Sequence, residues 1–251
     1  MTQKAHLIYQ EIQKRFQNLL NQYQLDTTEI ILTSKGLSPE EAIGITDRKD
    51  YPILTGKEIM LQAEYKGSFG QAFTDAPAEF YGSLDDILKM DLFQDAHARG
   101  LYFAAMNAVL KHLGLIDHTV HCRTKEPAEC APKYIEWMKQ QYSSSKIALV
   151  GYQPSLLQTL SSDPDFTVRC LDLNPDNVGQ ERFGIKVDHG INDYSDVVLD
   201  WADLVLCTGS VFANATMDYY IGIDKEVLFF GITGAAPVYL LGLKRYCPLS
   251  Q

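Results

Sequence analysis

Apolar residues recur at helical spacing from Ala5 to Tyr23, at Ile8, Ile12, Phe16, Leu19, Leu20 and Tyr23, which predicts an amphipathic helix. Four short β-type runs follow: EIILT, EAIGIT, IMLQAEY and FGQAFTD. Gly36, Pro52, Gly56 and Gly67 read as the turns between them. Helical periodicity returns at Leu101, Ala104, Ala105, Ala108, Val109 and His112, with Gly114 where a C-cap belongs. A helix, a β-meander and further helices predict an α+β unit over residues 1–115. The irregular stretch that follows, with Pro127 and Pro132, reads as a connector and helix over 116–144. Pro132 is expected in the first turn of KYIEWMKQQY.

From 145 to 251 the pattern changes to strict alternation. KIALVGY, TVRCLDL, DLVLCTG and EVLFFG read as strands. PSLLQTLSS, SDVVLDWA, NATMDYYIG and AAPVYLLGL read as the helices that follow them. Four apolar strands, each followed by helical material, predict βα units and a mostly parallel sheet. The fold class is therefore α/β, an N-terminal α+β domain followed by a mostly parallel α/β domain.

Charge then removes whole classes of partner. The chain of 251 residues carries a formal net charge of −10, and its short basic stretches are interrupted by acids and amides. A duplex-binding surface needs a clustered basic stripe, so nucleic acid is excluded as a partner. No apolar run approaches a membrane span, and the opening MTQKAHLIYQEIQKRF lacks the apolar core of a signal peptide. Five irregularly spaced cysteines then predict reduced thiols and a cytoplasmic protein.

In an open parallel sheet, ligands bind beyond the carboxyl ends of the strands. The polar and glycine-rich residues of this chain gather there. Gly151, Tyr152 and Pro154 follow the first strand, and Asp172 and Asn174 follow the second. Thr208, Gly209, Ser210, Asn214 and Thr216 follow the third, and Thr233 and Gly234 the fourth. Glycines permit close backbone approach, and helix N-termini offer free N–H groups and a positive dipole. Together the loops predict a pocket for a small anionic or polar ligand. Taken singly, Asn214 and Thr216 also fit helix capping, and the glycines fit turns.

Other candidates keep two readings. Asp172 lies about twenty residues beyond Gly151, where nucleotide-binding folds place a ribose-binding acid. It equally suits a turn in Asn-Pro-Asp-Asn, and G-x-G-x-x-G is absent, so ordinary NAD binding has weak support. Thr74 and Asp75, ending a glycine-interrupted run from Gly67, supply a second wall or merely a bulged hairpin. Asn107, in an apolar helix, faces a cleft or bonds to neighbouring backbone. His118, His121 and Cys122 form a local H-x-x-H-C cluster that fits soft-metal ligation or a solvated connector, and matches no structural zinc spacing. Cys207 ends an apolar strand and reads as a small hydrophobe.

These motifs resemble the DUF364 proteins, a family named for heavy-metal chelation. The resemblance is carried by V-G-Y-x-P from Val150, L-D-L-N-P-D-N from Leu171, W-A-D-L-V-L-C-T-G-S from Trp201, A-N-A-T from Ala213, G-I-T-G-A-A-P and K-R-Y-C-P. G-Q-A-F-T-D from Gly70 and A-A-M-N-A-V from Ala104 resemble the DUF4213 domain that precedes it. The resemblance implies an enolase-N-terminal-like first domain, a Rossmann-like second domain and a role with metal ions or metal chelates. Ala215 departs from the N-G-T pattern expected there. The cofactor expected is a transition-metal ion or a nucleotide-type group. The expected partner is a small molecule or metal chelate, with a homodimer as the assembly allowed for. The competing expectation is an enzyme using S-adenosylmethionine or NAD(P), such as a methyltransferase or dehydrogenase.

Overall fold

The computed structural model describes residues 1–55, 58–142 and 145–251. Gly56, read above as a turn, and the boundary residues 143–144 lie outside the described residues. Helix α1 (Gln3–Gln22) starts on the Thr2 side chain, which accepts the Ala5 N–H at 3.0 Å. Of the predicted stripe Ile12, Phe16 and Leu20 are buried, joined by Tyr9, while Ile8 and Leu19 are half-buried and Tyr23 is exposed. An antiparallel sheet follows: β1 (Ile30–Leu37), β2 (Ile59–Tyr65), β3 (Ser68–Thr74) and β4 (Phe80–Ser83), in the order β3-β2-β1-β4. Lys66 and Gly67, at φ 48° and 79°, make the tight turn between β2 and β3. Gly36 is not a turn residue; it pairs with Leu61 inside β1.

The EAIGIT run, expected as a strand, enters helix α2 (Pro39–Ile43) instead. The reason is local. Ser38 and Glu41 form a reciprocal capping box, with Pro39 in the first turn, so the chain commits to a helical turn. Residues 42–54 then pack Ala42, Ile43, Tyr51 and Ile53 against Leu37 and Met60 in a small core of their own. A short helix α3 (Leu84–Leu88) and the long α4 (Ala96–His112) complete the first half. Gly114 takes φ 68° just beyond α4, the left-handed conformation that ends helices.

Helix α5 (Glu126–Gln141) starts well before the expected Pro132. Pro127 occupies the opening turn, while Pro132 lies exposed inside the helix, where it removes one backbone donor. A seven-stranded sheet follows, in the order β11-β10-β9-β5-β6-β8-β7. Its members are β5 (Ser145–Val150), β6 (Phe166–Asp172), β7 (Glu181–Arg182), β8 (Ile185–His189), β9 (Leu204–Thr208), β10 (Glu226–Phe230) and β11 (Lys244–Arg245). All neighbours run parallel except the β7–β8 hairpin. Helices α6 (Pro154–Ser162) and α7 (Ala235–Leu241) follow β5 and β10, and a wide π-type helix spans Ser195–Trp201. The expected NATMDYYIG helix reduces to a turn and one 3-10 turn over Met217–Tyr219.

The parallel sheet is covered on both faces, which is why its strands read as continuous apolar runs. Ile147, Leu149, Val168 and Leu206 face α5 and α6. Ala148, Val150, Val205 and Phe229 face inward, into one core shared with α1, α4 and the antiparallel sheet. Cys207 is fully buried in that core, packing as the apolar residue expected. Among the described residues no helix is long and apolar enough to cross a membrane.

Candidate functional site

The loops at the carboxyl edge of the parallel sheet meet at a cavity of about 250 Å³. One wall is the sheet edge: Asp172 and Thr208 end β6 and β9, and Gly151, Gly190 and Gly231 directly follow β5, β8 and β10. The opposite wall comes from elsewhere in the chain. Tyr51, Pro52, Ile53 and Glu58 contribute from the first half, as does Phe73 of β3, with His121, Cys122, Cys130 and Tyr134 from the middle. Leu173 and Ile191 line the cavity while remaining 40% and 44% exposed, which marks its mouth.

Backbone geometry fixes the floor. Gly151 takes φ 89°, and a Cβ there would lie 2.7 Å from the Thr208 methyl carbon. Only glycine lets the β5 loop lie flat on β9. Asp172 braces two loops at once: its carboxylate oxygens accept N–H groups from Tyr152 and Asn174, each at 2.6 Å. The Gln153 side chain caps α6 through the Leu156 N–H, and Pro154 opens that helix. Thr208 accepts the Ser210 N–H at 3.3 Å, and both hydroxyl residues line the cavity.

The remaining candidates divide. Thr233 lines the cavity, but the residue is 1% exposed and its hydroxyl accepts the Phe73 N–H at 2.9 Å, tying the loop to β3. Asn214 and Thr216 line the rim and bond to each other at 2.7 Å in a local turn. Gly209 and Gly234 do not line the cavity. They let two loops cross, since a Cβ on Gly209 would sit 2.3 Å from the Gly234 nitrogen. Thr74 turns its hydroxyl to the Ala76 N–H, and exposed Asp75 stands outside; β3 supplies Phe73 instead. Asn107 is fully buried away from the cavity. It donates to Gln71 O at 2.9 Å and Ile232 O at 3.0 Å and accepts the Ala236 N–H at 2.8 Å.

The H-x-x-H-C cluster splits as well. His118 turns to the Ser250 carbonyl, whereas His121 and Cys122 face the cavity with Cys130 and Cys247. The His121 ring lies edge-on to Phe73, and burial lowers its pKa, favouring neutral imidazole. Burial pushes the Cys122 thiol up, reinforced by Cys247 and Cys130, and raises Cys130 to about 11. The sulfurs of Cys122 and Cys130 are neutral thiols at pH 7. Among the described residues, no group of three or more His, Cys, Asp or Glu is placed to hold a metal ion.

The strongest perturbed acid in the site went unread in the sequence. Glu58 lines the cavity, crowded by protein yet keeping part of its surface toward the hollow. Burial, reinforced by the charges of Asp172 and Asp75, raises its pKa to about 7. No local motif distinguishes Glu58; only the folding of its segment over the sheet edge brings it there. Tyr134, Cys130 and Cys247 likewise reach the site by tertiary packing alone.

Fold and site together define an α/β protein with a cavity at the strand ends of its parallel sheet. Residues 134–243 match the DUF364 family, described as "Putative heavy-metal chelation". No curated protein matches the sequence. The chain is similar to the crystal structure of a DUF364 protein of unknown function from Pyrococcus horikoshii, at 16% identity and a TM-score of 0.55. That match covers 94% of this chain and 83% of the other. A DUF364 protein of unknown function from Desulfitobacterium hafniense aligns at 11% identity and a TM-score of 0.48, covering 94% and 84%.

Proposed function

We propose that the protein binds a compact small molecule in this cavity, and that the molecule is a metal chelate or its organic precursor, in a role in heavy-metal chelation or homeostasis. The observation that carries the reading is the convergence of five strand-end loops and a distant covering segment on one hollow. At about 250 Å³ it lies just under the ~300–1,000 Å³ range of ligand pockets, which suits a compact ligand. The lining also bears on the ligand's charge. Among the described residues its charged groups are Glu58 and Asp172, so of the anionic or polar ligand expected from the loops the polar alternative is favoured, one carrying positive charge or hydrogen-bond donors. In this reading residues 1–115 are the DUF4213, enolase-N-terminal-like unit that roofs the site.

The test is to denature the purified protein and identify what it releases by mass spectrometry, metals included. Ser210→Trp fills the cavity from a partly exposed wall position and serves as the control. A molecule released by the wild type and missing from the folded variant is the expected result. The same molecule from both, or none from the wild type, overturns the reading.

A second reading, an enzyme using S-adenosylmethionine or NAD(P), rests on Asp172 at the end of β6. Both of its oxygens already accept loop N–H groups, which weighs against a ribose there. A thermal shift with one of those cofactors would revive it.

A further inference from the structure

Given a small-molecule site in this hollow, the reading on which this step rests, the covering wall gives the ligand a class. Two polar groups on that wall face the cavity with nothing to meet them. Glu58 directly precedes β2 and stands opposite Asp75, one step beyond the Ile59–Thr74 pair. Among the described residues its carboxylate has no hydrogen bond or ion pair, and part of its surface stays open. Asp172 offers no relief, being a second acid whose oxygens are engaged with loop N–H groups. Among the described residues no lysine or arginine lines the cavity. A crowded carboxylate without a donor or cation is costly when ionised, so a cation brought by the ligand would relieve it.

The second group is His121, which lines the same wall and is closely surrounded by protein. Its ring bonds only through Nδ1, to the Cys122 carbonyl at 2.6 Å and the Cys122 sulfur at 3.9 Å. A carbonyl can only accept, so Nδ1 carries the proton and Nε2 of the neutral ring is an acceptor. Nε2 has no partner among the described residues and is not sealed off from the hollow. Buried polar atoms are normally bonded, so this nitrogen calls for a donor. Phe73 is a neighbour to both groups. It lies two residues before Asp75, and its ring meets that of His121 edge-on with centroids 5.5 Å apart. Glu58 and His121 therefore belong to one stretch of wall with an apolar ring beside them.

We propose that the cavity takes a compact amine bearing a second hydrogen-bond donor, its ammonium on the Glu58 carboxylate, its hydroxyl or N–H on His121 Nε2, and its apolar body against Phe73. Both recognising groups are acceptors, so a carboxylate or phosphate group finds no partner on this wall.

Calorimetry with tyramine, 2-phenylethylamine and 4-ethylphenol tests this. Tyramine carries both donors, and each of the others lacks one. Tyramine is expected to bind about fivefold or more tightly than either, the worth of one hydrogen bond. Glu58→Gln should weaken tyramine and 2-phenylethylamine by about tenfold and leave 4-ethylphenol unchanged. His121→Phe, which keeps a ring of similar shape, should weaken tyramine and 4-ethylphenol and leave 2-phenylethylamine unchanged. The wild type supplies a measurement that needs no variant. Between pH 6 and pH 8 Glu58 passes from mostly protonated to mostly ionised, beside Asp172 and Asp75, while burial favours the neutral His121 ring. Both amines stay protonated over that range. Their affinity should therefore rise by about tenfold, and that of 4-ethylphenol should stay flat. Tyramine binding no tighter than the other two, amine affinities that ignore pH, or variants that weaken all three probes alike would overturn the proposal. A released molecule without an amine sinks this proposal and leaves the cavity reading standing. If nothing is released and no probe binds, both fail.

Discussion

Glu58 illustrates what one side chain does to the stability of the whole. Its folded pKa of about 7 lies above the ordinary 4.5, so between those values the native state holds the proton more tightly than the unfolded chain. Stability from this group is therefore intact below pH 4.5 and is lost as pH rises through about 7. Glu58→Gln removes the titration. Its stability relative to wild type should rise between pH 5 and pH 8, by roughly 2 kcal/mol after allowing for the exposed part of the side chain. Urea unfolding of both proteins at the two values measures this; an identical difference at both would refute it. The same scale shows what the sequence withheld. Asp172 was legible because it closes an apolar run, and Thr208 and Ser210 because they close another. Glu58 was not, because what makes it unusual is its burial over the sheet edge and, after that, the company of Asp172 and Asp75, none of which its local sequence shows. Ala215 is a further case: it takes φ 63°, in the left-handed region that glycine enters without steric cost. The departure from N-G-T was readable, and its backbone consequence was not.

At the level of elements, helices and strands were readable where one apolar period ran uninterrupted, as in α1, β2, β5 and β9. They were unreadable where a local side-chain bond or an edge position decided. The box of Ser38 and Glu41 turned an apparent strand into α2. The Asn214–Thr216 bond with left-handed Ala215 broke the expected helix after β9. The edge strands β7 and β11 are two residues each, too short to show a period. The packing of α4 on β3 was also invisible, because it depends on a missing side chain. A Cβ on Gly70 would lie 2.2 Å from the Ala108 nitrogen and 2.4 Å from the Ala104 oxygen, both backbone atoms of α4. Helix backbone cannot swing aside as a flexible side chain can, so the helix must lift off the sheet. Gly70→Ala should therefore cost about 3 kcal/mol or more, at the upper end of overpacking penalties. The loss is read as a lower urea midpoint. A variant as stable as wild type would mean that α4 and β3 do not meet so closely.

For the whole molecule, the alternating pattern correctly separated an antiparallel half from a parallel one, but it carried no sign of how they are joined. The inner face of the parallel sheet carries α7, the π-type helix and the segment after β9, and α1 and α4 pack onto that layer in a core continuous with the antiparallel sheet. Polar ties reinforce that seam. The Tyr9 hydroxyl donates to Phe212 O at 2.6 Å, Arg15 to Leu240 O at 2.6 Å, and Arg99 to Ala213 O at 2.7 Å. Asn107 bonds to β3, to the loop after β10 and to α7 at once. A fragment of residues 1–115 would leave the apolar faces of α1 and α4 in water and these donors without partners, so it should not fold alone. In the intact chain the two halves should then melt together. Both tryptophans, Trp137 and Trp201, lie in the second half, so their fluorescence reports the parallel sheet, whereas far-ultraviolet circular dichroism reports both halves. A shared core requires the two signals to give one midpoint in urea. Separate midpoints, or a cooperatively folded 1–115 fragment, would show that each half carries a sufficient core of its own. The cavity between them would then be a junction of independent bodies rather than a built-in part of one.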